Sequence, residues 1–341
     1  MKNLKALFIL MLFCTSLTMV GQSVIKNRAD VQLYKLSVAA RTIGAYYVDT
    51  VNKEAIVEEA IRAMLEDLDP HSVYINKDEI ARMNEPLQGN FEGIGVQFNI
   101  LEDTLMVVNP IPGGPSEEVG VMAGDRIIYI DDELVAGIGL NNKGVFDRLR
   151  GSKGTKVSVK IKRYGLKNLL EFEIIRDKIP IYSLDAAYMA GKDIGYIKLN
   201  RFSGTTHDEF LKALQTLKNQ GMTSLILDLQ GNGGGYLKAA IDLCDEFLTN
   251  NKMIVYTEGI NSPRQSFRAS KGGVFERGEL VVLIDEASAS ASEILSGAVQ
   301  DWDRGLIIGR RSFGKGLVQR QFTLPDGSAM RLKTSKYYTP S

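Results

Sequence analysis

The sequence holds only two histidines, His71 and His207, and two cysteines, Cys14 and Cys244. With so few of them no zinc-type cluster, and hence no metal site, is expected. The scarcity of histidine also works against a Ser-His-Asp scheme, and a hydrolase on this chain needs another base. An excess of charge of either sign is missing as well, since Lys+Arg and Asp+Glu each total 41. That balance removes the bulk electrostatic case for nucleic acid as a partner. The apolar run at 6–14 is too short for a membrane span. The glycine cluster at 231–235 lacks the spacing and the following lysine of a phosphate loop, so no nucleotide cofactor is implied.

What is present fits two or three globular domains, with 341 residues, 44% hydrophobic and 24% charged. Residues 1–22 read as a secretory signal. Lys2 and Lys5 precede the apolar run, and a mixed stretch leads to Gly21-Gln22. This predicts export to the periplasm or cell envelope of a bacterium, with association with the envelope. Cys14 lies inside the apolar run and not after a small-residue site, which argues against lipidation. Cleavage would leave Cys244 as the one remaining cysteine.

Residues 23–87 form an N-terminal helical segment. Leu33, Leu36, Ala40, Ile43 and Tyr47 recur at helical spacing, as do Ile56, Ala60, Ile61, Met64, Leu65 and Leu68. Residues 49–52 break the two helices, and Pro70 ends the second. His71 falls in the turn beyond it, where a backbone hydrogen bond suits it better than catalysis.

From Phe91 the pattern changes to short alternating strands with glycine turns. Residues 88–165 resemble a PDZ domain, a small β-sandwich or barrel with two helices. The resemblance rests on the loop Gly93-Ile94-Gly95-Val96, the PGGPS turn at 112–116, AGDRIIYID at 123–131 and LRGSKGTKVSVKIKR at 149–163. Free backbone N–H groups of such a loop hold a terminal carboxylate, and the adjoining strand edge pairs with an extended peptide.

Residues 166–341 read as an α/β core with a parallel-rich sheet and flanking helices. Runs at 194–199, 224–229, 253–257, 280–284 and 306–309 are strands. A helix from Thr205 or Thr206 places His207 in its first turn, facing solvent. Residues 251–278 read as a polar excursion beside the active site. At the end of the 280–284 strand stands Ser288-Ala289-Ser290-Ala291-Ser292-Glu293. Small residues and a hydroxyl at a helix N-terminus suit a nucleophile and an oxyanion hole, but taken alone a serine cap is the commoner use of them. The cluster at 231–235 is a second strand end of this kind, and two such ends can face one pocket. Lys315, between two glycines, is the candidate base. A lysine acts as a base only when neutral, a form favoured by burial and by neighbouring cations such as Arg310 or Arg311.

These residues together resemble the C-terminal processing peptidases, or tail-specific proteases. The shared motifs are LDLQGNGGG at 227–235, DEASASASE at 285–293, FGKGLVQ at 313–319 and AMRLKTSKYYTP at 329–340. DPHSVYI at 69–75 and the PDZ stretch agree. The resemblance implies Ser290 as nucleophile, Lys315 as base and Gln319 as the residue that orients the lysine. It implies an oxyanion hole from the backbone of Ala291 and of Gly234 or Gly235. The capping reading of the serine stretch then falls to Ser288. Asp301 matches an acidic position that supports activity in some members. The implied partners are proteins or peptides with accessible C-termini, and a homo-oligomer is compatible. Two departures stand out. The family turn has proline and arginine where this chain has Gly233 and Gln230, and family members continue beyond Ser341, which suggests a fragment. Two other readings are a non-catalytic PDZ scaffold and, by fold analogy alone, an acyl-CoA-type enzyme.

Overall fold

The computed structural model describes residues 28–341 except Lys271. The expected signal at 1–22 and Cys14 lie outside the described residues. Contacts divide the chain into two units, 1–74 and 75–341. No helix among the described residues is long and apolar enough to cross a membrane.

The first unit carries α1 (Arg28–Tyr46) and α2 (Lys53–Glu66). The Asn52 side chain caps α2, its Oδ1 accepting from Ala55 N at 3.1 Å. The apolar stripe of these helices is open, with Leu33, Leu36, Ile43 and Tyr47 all exposed. At the turn after α2, Asp69 Oδ1 accepts from His71 N at 2.8 Å and Ser72 N at 3.0 Å. Aspartate commonly organises turns this way. Val73–Ile75 forms the short strand β1.

The second unit opens with α3 (Lys77–Gln88), a helix that its polar sequence does not announce. Asn76 caps its start and Gly89, at φ +79°, ends it. Strand β2 (Asn90–Gly93) follows, then β3 (Val96–Leu101), β4 (Thr104–Pro110) and the single turn α4 (Pro115–Glu118). Next come β5 (Arg126–Ile130), β6 (Glu133–Leu134), α5 (Asn142–Leu149) and β7 (Lys156–Lys162). Strands β8 (Leu170–Ile175) and β9 (Asp177–Pro180) complete this part. The sheet order is β3-β4-β5-β7-β8, with β6 on β5 and β2 paired to β9. The PDZ sheet therefore runs to Ile175, past the expected boundary at 165. Val107, Val145 and Ile161 fill its core. Strand β3 is an edge, paired only to β4.

The remainder contains β10 (Leu184–Met189), β11 (Ile194–Leu199), α6 (Thr206–Asn219), β12 (Ser224–Asp228) and α7 (Leu237–Asp245). Strands β13 (Met253–Gly259), β14 (Ser262–Arg268) and β15 (Glu279–Ile284) lead to α8 (Ala291–Asp301). Strands β16 (Leu306–Gly309), β17 (Leu317–Thr323) and β18 (Ala329–Tyr338) close the chain. One sheet has the order β10-β11-β12-β15-β16, parallel except for β10. Its alternate apolar residues, such as Ile197, Leu227 and Val282, share a core with Phe210, Leu243 and Leu295 of the helices. The second sheet is antiparallel. It joins β14 to β13, β13 to β18 and β18 to β17.

Three expectations change here. The 253–257 strand belongs to the antiparallel sheet, and residues 251–278 are largely the β13–β14 hairpin rather than an excursion. Its run SPRQSFR is nearly all polar because β14 is an exposed edge strand, which hides the alternation. His207 is half-buried, and its Nε2 lies 2.7 Å from Glu246 Oε1. The helix packs that first turn against the end of α7.

Candidate active site

Two chain reversals at the carboxyl ends of β12 and β15 are bolted together. Asp285 Oδ1 accepts from Gly231 N at 3.0 Å, from Ala287 N at 3.0 Å and from Ser288 N at 3.1 Å. These backbone donors, Gly231 first, hold its carboxyl below the usual carboxylate range. Ser288 Oγ donates to Leu229 O at 2.8 Å, and Ser292 Oγ donates to Asn232 O at 2.9 Å. Ala289 N donates to the same Asn232 carbonyl at 3.0 Å. Asn232, itself buried, donates through Nδ2 to Leu199 O at 3.0 Å. Ser288 is thus a buried clamp between loops and not the cap expected of it. Ser290 occupies the N-cap position of α8 itself.

Ser290 sits at φ +56°, ψ −110°. For a residue with a side chain this region costs about 1–3 kcal/mol and persists only where neighbours enforce it. The sharp bend resembles the strained strand-to-helix turn that lifts a nucleophilic serine out of a sheet. Glu293 enforces much of it. Its Oε2 accepts from Ser290 N at 2.8 Å and from Lys315 N at 2.9 Å. Its Oε1 accepts from Ser312 Oγ at 2.8 Å and Gly314 N at 2.6 Å. One carboxylate therefore ties the serine turn to the lysine loop, two stretches that are separate in sequence. Tyr337 adds a second tie from β18, its hydroxyl donating to Ser290 O at 3.0 Å. Burial, and then the Glu293 carboxylate, push that phenol far above its ordinary range, so it stays a donor.

A cleft of about 750 Å³ opens over this junction. Ser290, Ala291, Lys315, Gln319, Gly234 and Gly235 all line it, and Ser290 and Lys315 are half-buried there. Gln319 faces Lys333 across the β17–β18 ladder. Asp301 is not among the lining residues. It ends α8, about 16 Å from Ser290 at 1.5 Å per residue, and its Oδ2 accepts from Ser341 N at 2.9 Å. Arg310 is also elsewhere, engaged with Glu286 at the surface, so it is not a cation beside Lys315.

The two glycines differ in what they offer. Gly234 N donates to Asn232 Oδ1 at 2.9 Å and is committed. Gly235 N and Ala291 N have no acceptor among the described residues. Gly234 instead supplies room. A Cβ there would lie 2.6 Å from Ala289 O and 2.8 Å from Ser290 Cβ, at φ +96°. Gly234→Ala therefore displaces the Ser290 turn, and kcat should fall roughly 100-fold, about 2.7 kcal/mol of barrier. Steady-state kinetics beside a thermal melt checks it: unaltered kcat in a folded variant would mean that the two turns do not abut as described. At Gly235 a Cβ would meet Phe202 O at 1.9 Å, so that substitution threatens the fold instead.

In the PDZ part, Gly93, Ile94 and Gly95 are buried and Val96 is half-buried. Gly95 takes φ +73°, and its carbonyl accepts from Ile111 N at 2.8 Å. The loop leads straight into edge strand β3. A groove of about 760 Å³ lies between β3 and α5, lined by Val96, Phe98, Ile100 and Phe146 among others. Phe98 and Phe146 meet edge to face at 5.6 Å. No group of three or more metal-ligating side chains occurs among the described residues.

Comparison with known proteins agrees with this layout. Residues 193–341 match the family described as "Peptidase family S41", and 93–174 match "PDZ domain". Residues 14–79 match "Activating protease CtpB N-terminal domain". A carboxy-terminal-processing protease of Bartonella bacilliformis is 34% identical over 96% of this chain and 76% of its own. The chain belongs to peptidase family S41. Carboxy-terminal processing protease CtpB of Bacillus subtilis is also 34% identical, over 92% of this chain and 66% of its own length. A photosystem II D1 C-terminal processing protease of known structure is 29% identical, with a TM-score of 0.49 over 89% of this chain and 82% of that one. This S41 chain thus spans about two thirds to three quarters of these curated relatives, and it combines an N-terminal domain, a PDZ domain and a protease core.

Sequence reasoning did not single out Glu293 or Tyr337, although both stand inside quoted motifs. Glu293 three residues after Ser290 was the available signal, because that spacing makes a capping box. Asn84 and Gln88 of α3, which also line the cleft, carried no signal.

Proposed function

We propose that the chain is an exported serine endopeptidase that binds the C-terminal tail of a protein through its PDZ domain and cleaves nearby. The observation that carries this reading is the joining of Ser290 and Lys315 in one cleft through the Glu293 carboxylate. In the proposed reaction, neutral Lys315 Nζ takes the hydroxyl proton as Ser290 Oγ attacks the scissile carbonyl carbon. The oxyanion is held by Ala291 N and Gly235 N, two donors with no acceptor among the described residues. Collapse breaks the C–N bond, and Lys315 returns the proton to the leaving amine. Water, activated by the same lysine, then hydrolyses the serine ester. Gln319 orients the lysine. Export rests on the basic start and apolar run of residues 1–22 and places the enzyme in a bacterial envelope.

Tail recognition fits the groove beside β3. An extended peptide adds to that edge, with its carboxylate at Gly93-Ile94-Gly95-Val96 and an apolar last side chain against Phe98 and Phe146. Helix α3 couples the groove to the cleft. Its Glu85 pairs with Arg150 and its Arg82 with Asp147 at 3.7 Å, both at the end of α5. Asn84, Leu87 and Gln88 of the same helix line the catalytic cleft. Seating a tail against α5 therefore bears on the cleft through one rigid element.

The test compares a tailed protein substrate with the same protein carrying a C-terminal amide. The free carboxylate should lower KM at least tenfold, about 1.4 kcal/mol. Equal kinetics for the two would remove tail recognition from the account.

A further inference from the structure

The ionisable side chains lining the catalytic cleft are Lys238, Lys315, Arg331 and two tyrosines, with no carboxylate among them. Lys238 has its own counter-ion on α7, Asp242 at 2.7 Å. Arg331 has none. Among the described residues its side chain meets only Asn84 Oδ1, at 3.4 Å, and no carboxylate lies within ion-pair distance. Arg331 is nevertheless half-buried, on β18 opposite Gln321, which also lines the cleft. An arginine presents five N–H donors in a planar fork suited to a carboxylate, and one long contact to an amide leaves most of them unused. A half-buried guanidinium without a protein counter-ion is free to take one from a ligand.

We propose that Arg331 is an anion subsite of the substrate channel, reading a carboxylate on the peptide at a fixed distance from the bond that is cut. This rests on the proteolytic reading above and adds a specificity determinant to it. Strand β18 sets the distance. Tyr337, six positions beyond Arg331 on that strand, touches the Ser290 carbonyl. At about 3.3 Å per residue the two lie roughly 20 Å apart, a little less across the bulge in the β17–β18 ladder. An extended substrate rises at the same pitch, so the carboxylate stands about five or six residues from the scissile bond. It is either an Asp or Glu side chain or the chain's own terminus, and both offer the same two oxygens.

The test uses peptides that place Glu or Gln at successive positions up to eight residues from the cleavage site, each made with a free or an amidated C-terminus. Affinity is read by fluorescence anisotropy on full-length Ser290→Ala protein, so the result does not depend on turnover. kcat/KM is read in parallel on the active enzyme. We expect a carboxylate preference of tenfold or more at one position near the fifth or sixth residue. Arg331→Gln should collapse that Glu/Gln ratio towards one, while Arg331→Lys keeps part of it. A preference that follows Glu and collapses in Arg331→Gln assigns an acidic side chain to Arg331; one that follows the free terminus assigns the chain end to it only where it too collapses in Arg331→Gln, since a terminus read by the Gly93–Val96 loop is indifferent to that substitution. No preference at any position, or a preference unchanged in Arg331→Gln, overturns the proposal. Failure of the proteolytic reading looks different: the anisotropy preference persists while no peptide is cut.

Discussion

Lys315→Ala should abolish hydrolysis of a tailed protein while leaving the protein folded and able to bind it. Residues that act as a nucleophile–base unit lose roughly 10³- to 10⁶-fold when one is removed. Lys315 is bound into the structure through its backbone N–H, donating to Glu293 Oε2 at 2.9 Å, and that bond survives truncation of the side chain. The loss should therefore appear in kcat, with KM and the thermal midpoint little changed. Adding Ser290→Ala to Lys315→Ala should cost nothing further, because two parts of one unit do not add. Wild-type-like kcat in Lys315→Ala would give the base role to another group.

The second large effect is expected at Glu293. Its two oxygens accept from Ser290 N, Lys315 N, Ser312 Oγ and Gly314 N, and Tyr337 Oη lies 3.4 Å away. Glu293→Ala leaves those donors without an acceptor, and each unsatisfied group costs about 1–3 kcal/mol where water cannot replace it. Part of that cost should appear as lost stability and part as lost geometry, because the strained Ser290 backbone loses what holds it. We expect kcat to fall at least 100-fold together with a lower thermal midpoint. Glu293→Gln keeps two acceptor pairs on one oxygen and should recover part of both. If Glu293→Ala melts lower but turns over normally, the carboxylate is a structural tie alone and does not position Ser290 and Lys315 for turnover.

The strand ends were legible because small residues after buried strands have few other uses. SASASE and the glycine cluster could be expected to face one pocket, and the clamps from Asp285, Ser288 and Asn232 are what bring them together. The choice between Gly234 and Gly235 was not legible, since it turns on whether Asn232 Oδ1 captures one N–H. Helix α3 was hidden by its polar composition and by Pro86 in its last turn, yet it lines the cleft. Hairpin β13–β14 was hidden because an exposed edge strand needs no apolar alternation. The first-turn position of His207 suggested solvent, but Glu246 arrives from the far end of α7, a long-range contact that no local pattern encodes.

The most direct test of the account is to trap the acyl-enzyme. Full-length protein and a tailed substrate are mixed at low temperature, quenched in acid within the first turnover and digested for mass spectrometry. The account predicts the substrate's acyl fragment on the peptide that contains Ser290, esterified at that residue, and no adduct in Ser290→Ala. An adduct on any other residue, or turnover that persists in Ser290→Ala, would contradict it.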